Sequence, residues 1–313
     1  MKPIAFHCLW ICSRIRPLRK LIRRLGLRID REWYRPEAQG KVFHTGRTFL
    51  RSSFGNELTC RSYWMEDYYE PLSMIALRSL EDRVSNFIDI GSNVGIFSLF
   101  VASERQESPT RVFAFEPNPE MRVILETNCR INHFQIDISP LALSEGSGTA
   151  KFYQPESDTS GCLDEDFNPD VVGEYTVETA TLDEVFCGDD KLDPNGGTIV
   201  KMDVLGHESS ILRGGHQFIE EFKPTFLLEA VRDFDPGEIE FLRKSGYSFH
   251  LILPGGLEEI TEIRGREKDG FCFANFFATP DPGIPKIVNE ALRNFSRKPR
   301  FAESSLQGFD ANR

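Results

Sequence analysis

Several acids and one histidine stand where apolar runs give way to turns. Asp89 lies two residues before Gly91 in Phe87-Ile88-Asp89-Ile90-Gly91-Ser92-Asn93-Val94-Gly95, and Glu116 ends the run Phe113-Ala114-Phe115. Asp203, His207 and Glu208 follow Val200-Lys201-Met202, and Glu229 closes Thr225-Phe226-Leu227-Leu228. One carboxylate can accept from two hydroxyls at once, and an imidazole or carboxylate can take a proton near neutral pH. Asp203, His207 and Glu208 are therefore the candidate catalytic residues. A helix-capping place for Glu208 and a surface place for His207 are the simpler alternatives. The carboxylates of Asp203, Glu208 and Glu229 would suit Mg²⁺, but the sequence assigns no metal.

The glycine turn indicates the kind of ligand. Residues 87–90 form an apolar, β-branched run, and a helical pattern begins within a few residues at Ile96-Phe97-Ser98-Leu99. That spacing predicts a strand, a tight turn and a helix whose N-terminal N–H groups face an anionic or strongly polar ligand. Gly91 and Gly95, without a Cβ, would let the backbone approach that ligand closely. The pattern is G-x-x-x-G rather than the G-x-G-x-x-G that seats a pyrophosphate. An acid at Asp89 would repel a phosphate and accept from an ammonium. S-adenosylmethionine, with an amino-acid end and no phosphate, fits better than a nicotinamide dinucleotide. Glu116, 25 residues after Gly91 at the next strand's carboxyl end, stands where a ribose would be gripped.

The elements that must position these residues alternate regularly. Strands are expected over 87–90, 111–115, 136–143, 198–204, 225–229, 247–253 and 271–278. Helices are expected over 63–80, from 96 onward, over 119–132, over 209–222 with a break at Gly214-Gly215, and over 236–245. Strand–helix alternation predicts an α/β fold, a mainly parallel seven-stranded sheet with helices on both faces. Its last two strands are expected to form an antiparallel edge hairpin. Residues 145–170 read as loop or hairpin, 176–180 as a short strand, and Thr181 as a helix cap. Ligands of such sheets bind at the carboxyl ends of the strands, which would bring Asp89, Glu116 and Asp203 to one cleft.

Charge divides the chain. The formal net charge is −11, yet residues 1–50 hold 12 Lys and Arg against 3 Asp and Glu, leaving 25 against 45 in the rest. An acidic body argues against nucleic acid as a partner. The N-terminal segment carries Leu18, Ile22, Leu25 and Ile29 at helical steps among Arg16, Arg19, Lys20, Arg23 and Arg24. Such a basic amphipathic helix either docks on its own domain, lies peripherally on an anionic membrane surface, or serves as an arm for a partner. Seven cysteines without a C-x-x-C pair read as reduced thiols, and no apolar run approaches a membrane span, so a cytoplasmic place is expected. The expected division is a basic extension over 1–57, a catalytic domain over 58–280, and a C-terminal helix and tail over 281–313. Oligomeric state cannot be read from the residues.

FIDIGSNVGIFSL, FAFEPNP with a downstream ETNCRIN, PLALSEGSGTAKFY, TLDEVF, VKMDVLGHESSILRGG and KPTFLLEA occur in this order. Together, over roughly residues 58–280, they resemble the FkbM-type methyltransferases. The resemblance implies a class I, Rossmann-like methyltransferase fold. It implies S-adenosylmethionine as cofactor, and as acceptor a hydroxyl of a sugar, a lipid-linked glycan or a small natural product. Asp89, Gly91, Ser92, Asn93 and Gly95 would then contact the methionine end, Glu116 the ribose with Asn118 beside it, Ala142 and Leu143 the adenine, and Asp203 the same cleft. One position departs from the family pattern K-[IV]-D-[VI]-E-G-x-E: Leu205 stands where an acid is expected, while Glu208 is retained. That departure leaves open a base moved to His207, a changed acceptor, or a degenerate methyltransferase fold that binds cofactor or a partner without turnover.

Overall fold

The computed structural model describes residues 70–296 apart from 105–109, 156–160, 165–170, 189, 195, 231–232, 254, 262 and 264–273, together with 40–41 and 49–50. The basic helix expected near the N-terminus, the first part of the helix expected over 63–80, and the tail beyond 296 lie outside the described residues. Of the N-terminal extension, Gly40–Lys41 and Phe49–Leu50 pair antiparallel.

The described elements run in this order: α1 (Pro71–Arg78), β1 (Val84–Ile90), α2 (Ile96–Glu104), β2 (Arg111–Phe115), α3 (Pro119–Asn132), β3 (Asp137–Ser139), β4 (Ala142–Leu143), β5 (Gly148–Pro155), β6 (Val171–Ala180), α4 (Leu182–Phe186), β7 (Gly197–Met202), α5 (Glu208–Arg213), α6 (His216–Phe222), β8 (Thr225–Ala230), α7 (Pro236–Lys244), β9 (Ser248–Leu253), β10 (Gly256–Ile260), β11 (Ala274–Thr279) and α8 (Ile284–Ser296). Eight strands form the main sheet in the order β10-β9-β11-β8-β7-β1-β2-β3. The five from β8 to β3 are parallel; β11 runs antiparallel between β8 and β9, and β10 closes the edge. The mainly parallel sheet with helices on both faces is thus as expected, with two differences. The sheet has eight strands rather than seven, and its edge hairpin is β9–β10, because β11 inserts between β8 and β9. The strand at 256–260 is invisible to periodicity: Glu258 and Glu259 face solvent on an edge, where charge discourages pairing with other chains.

Both faces carry a core. On one, α4, α5, α6 and α7 pack Phe186, Leu212, Phe218 and Leu242 against Val200, Met202 and Phe226. On the other, α1, α2, α3 and α8 pack Leu77, Leu99, Leu125 and Val288 against Phe87, Ile199 and Phe277. Strands buried on both sides must be apolar throughout, so the charged residues in β1, β7 and β8 are conspicuous. A second sheet, β4-β6-β5, stands beside β3. Pro140 splits the expected strand 136–143 into β3 and β4, which belong to different sheets, and 145–170 contributes a long strand of the second one.

Candidate active site

The turn after β1 is built mainly by packing. Gly91 (φ +80°) and Gly95 (φ +87°) adopt left-handed backbone, as does Asn93 (φ +50°). A Cβ on Gly91 would strike the backbone carbonyl of Asp203, and one on Gly95 would strike the Leu125 side chain. The glycines therefore let β7 and α3 close on the turn, which is a different reason from the ligand approach expected of them. Ser92 N–H and Oγ both donate to the Phe115 carbonyl (3.1 and 3.3 Å), tying the turn to the end of β2. Asn128 of α3 donates to the Val94 carbonyl at 2.9 Å.

Glu116 is the most firmly oriented acid. Its Oε2 accepts from Asn93 N–H at 2.7 Å and its Oε1 from Asn118 N–H at 2.8 Å. The Asn118 side chain is occupied elsewhere: its Oδ1 caps α3 by accepting from Glu120 N–H at 2.9 Å. Burial pushes the Glu116 carboxyl up to about 7, against the pull of those two amides. A buried carboxylate so held still has lone pairs for two further donors. Two vicinal ribose hydroxyls would supply them, so the residues present fit S-adenosylmethionine at this end.

Asp89 is fully enclosed. Its Oδ2 accepts from Ser98 N–H (3.0 Å) and Ser98 Oγ–H (2.6 Å), holding the first turns of α2 against β1. Directly across the ladder from it stands Lys201, 2% exposed. The Lys201 ammonium donates to Asp203 Oδ2 at 3.2 Å and lies 4.4 Å from the centre of the Phe97 ring. Burial opposes its charge, but Asp203, Glu70, Glu229 and Asp89 outweigh that and hold Lys201 above the ordinary lysine value. One carboxylate oxygen from each of Glu70, Asp203 and Glu229 lies within 4.8 Å of the others. Burial, then the nearby Asp203 and Glu70 charges, raise Glu229 well above the ordinary carboxylate range.

His207 and Glu208 do not join this cluster. Leu205 (φ +52°) and Gly206 (φ +90°) turn the chain over the end of the sheet, carrying it from the Lys201 face to the opposite face, where α5 packs. His207 meets Ser144 instead, with Nε2 2.9 Å from Oγ, and burial lowers its pKa against the pull of Glu145 and Asp164. Glu208 folds back into its own loop and accepts from Gly206 N–H at 3.3 Å. Burial raises it to about 7 while the amides of Glu208, Gly206 and Val204 pull the other way. Ala142 and Leu143 are both buried, Leu143 in the large core and Ala142 in a small cluster with Phe152 and Val177.

Three participants were not singled out from sequence. Lys201 had a signal, a lysine inside an otherwise apolar buried strand. Glu70 and Asn275 had none. They arrive from α1's N-cap position and from β11, and Asn275 Nδ2 donates to Glu70 Oε2 at 3.1 Å across 205 residues of chain.

Residues 89–249, just over half of the chain, match the methyltransferase FkbM domain. The hexuronic acid methyltransferase AglP of Haloferax volcanii is 30% identical over 128 residues, which cover 40% of this chain and 48% of that protein. The chain thus spans about half the length of this curated relative. Among solved structures, a methyltransferase FkbM from Methylobacillus flagellatus KT aligns with a TM-score of 0.39 and 16% identity, over 62% of this chain and 43% of that one. A Pyrococcus abyssi tRNA (uracil-54, C5)-methyltransferase bound to S-adenosyl-L-homocysteine aligns with a TM-score of 0.39 and 12% identity, over 79% and 44%. On this domain match, the chain belongs to the FkbM family of methyltransferases.

Proposed function

We propose that the protein transfers the methyl group of S-adenosylmethionine to a hydroxyl oxygen of a saccharide acceptor. The observation that carries this reading is the pairing, at one sheet end, of a preoriented Glu116 with the Lys201-anchored carboxylate of Asp203. The sugar acceptor is supported by the relative named for a hexuronic acid. S-adenosylmethionine supplies a methyl on a sulfonium, which an oxygen displaces in line. The chain's share is alignment and proton removal. Glu116 fixes the ribose, and the Asn93 and Asn118 amides fix Glu116. Asp203, whose side chain is 23% exposed, and the half-buried Glu70 are the cluster members open to an acceptor. With the cofactor held there, transfer would leave S-adenosylhomocysteine, and a carboxylate of the cluster would take the hydroxyl proton. Alignment of this kind is worth up to several kcal/mol, and a placed base about 100-fold or more.

Leu205 favours a second reading, cofactor binding without turnover. One experiment separates the two. The full chain would be titrated with S-adenosylhomocysteine by calorimetry, with Glu116→Ala as control, and incubated with methyl-labelled cofactor and a panel of oligosaccharides and glycolipids. The expected result is binding weakened at least about tenfold by Glu116→Ala, with label entering a product that survives mild alkali, as an ether does and an ester does not. Binding without label transfer to any acceptor would favour the second reading. Alkali-labile label would place the methyl on a carboxyl group and overturn the hydroxyl acceptor.

A further inference from the structure

We propose that Glu70, Asp203 and Glu229 form a binding site for one hard divalent cation, of the magnesium or manganese type, at the carboxyl ends of β7 and β8. The three side chains come from α1's N-cap position, the end of β7 and the end of β8, so they converge from distant parts of the chain. One carboxylate oxygen of each lies within 4.8 Å of the other two, close enough for small side-chain shifts to bring all three to one cation. All donors are oxygen, which excludes the sulfur- and nitrogen-preferring metals as natural occupants.

Two independent features distinguish this cluster from a solvated acidic surface. First, Glu229 is only 9% exposed, its Oε2 is buried with no hydrogen-bond donor, and its carboxyl lies against that of Asp203. A buried carboxylate oxygen left so is costly, and a cation at the shared centre removes that cost. Second, two of the carboxylates are held from behind. Lys201 binds Asp203 through Oδ2 and Asn275 binds Glu70 through Oε2. Side chains that ligate metals are commonly steadied by such outer hydrogen bonds. Three protein oxygens leave the remaining positions of a six-coordinate cation to water or acceptor hydroxyls. Within the function proposed above, on which this role rests, the cation would hold one or two neighbouring hydroxyls of the saccharide and ease loss of the reacting proton.

The test is direct binding of Mn²⁺ to the full chain, followed by electron paramagnetic resonance of the free ion. It is run with Mg²⁺ as competitor and alongside S-adenosylhomocysteine binding to the same preparation. One saturable equivalent of Mn²⁺ is expected, displaced by Mg²⁺ and weakened about tenfold or more by Glu229→Gln. Glu70→Gln, which lies at the start of α1 rather than in the sheet, should weaken it similarly, so a folding defect in the first variant does not decide the matter. Cofactor-product binding by both variants is expected to stay within about threefold of the parent. Absence of saturable Mn²⁺ binding in a chain that binds S-adenosylhomocysteine would overturn the cation site and leave the methyltransferase reading intact. Equal Mn²⁺ binding by parent and both variants would overturn it too, by placing the ion elsewhere. Loss of S-adenosylhomocysteine binding with the Mn²⁺ site retained would instead fail the cofactor reading alone.

Discussion

Glu116 shows at the scale of one residue how structure sharpens what sequence offers. Its place at the end of an apolar run, soon after a glycine turn, marked it as a ribose acid. What the sequence could not contain is its burial, which depends on β3, α3 and the turn closing around it. Burial pushes it up to about 7, so in the cofactor-free protein both protonation states are populated near neutrality. Only the ionised form offers every lone pair to two hydroxyl donors. Affinity for S-adenosylhomocysteine should therefore fall as pH drops from about 8 to about 6, approaching tenfold per unit below the carboxyl's own value. Calorimetry across that range checks it, and a flat profile in the parent chain would remove Glu116 from the ribose site. The contribution to stability has the opposite sense. A folded-state value raised above the ordinary 4.5 means that Glu116 favours folding at low pH, and loses that effect as pH rises through about 7. His207 gives the contrary lesson. It sits four residues after Asp203, yet a left-handed Leu205-Gly206 turn sends it to the other face of the sheet, and no local pattern announces such a crossing.

At the scale of elements, the strand–turn–helix unit after β1 was legible because its signals are local: a β-branched run, two glycines, a helical period. The reason for the glycines was not, because their neighbours come from β7 and α3. Gly91 combines a positive φ with a backbone neighbour that cannot move aside, the Asp203 carbonyl. Gly91→Ala should thus destabilise the protein by at least about 2 kcal/mol, the left-handed penalty plus forced separation of β1 from β7. Gly146→Ala is the matched control, since nothing lies within 4 Å of a Cβ there, and its effect should stay within about 0.5 kcal/mol. Thermal melts of the two variants check the pair. Similar melting temperatures for both would show that the turn adapts and does not depend on that contact. The strands that escaped sequence reading fail for physical reasons of the same kind. β10 is an exposed edge with two glutamates, and the first half of β6, ahead of the strand read over 176–180, carries Gly173 and Glu174, so neither shows an apolar period.

At the scale of the whole molecule, the two sheets differ sharply in what holds them. β1 and β7 lie at the centre of the main sheet, covered on both faces by large apolar clusters. The sheet β4-β6-β5 has three buried apolar residues in its own cluster, Ala142, Phe152 and Val177. It joins the body through the paired Leu143 and Ala180, which belong to the large core while Ala142 belongs to the small one. Burial stabilises roughly in proportion to apolar area, so the second sheet should open without unfolding the first. Amide hydrogen exchange should show β5 and β6 exchanging through a local opening at a free energy well below the global value, while β1 and β7 exchange only with global unfolding. Uniform protection across both sheets would mean one cooperative unit. Ser144, which touches His207, and Glu145 follow β4 directly, so opening the second sheet should loosen the contact with His207 while Glu116, Asp203 and Lys201 stay fixed on the main sheet.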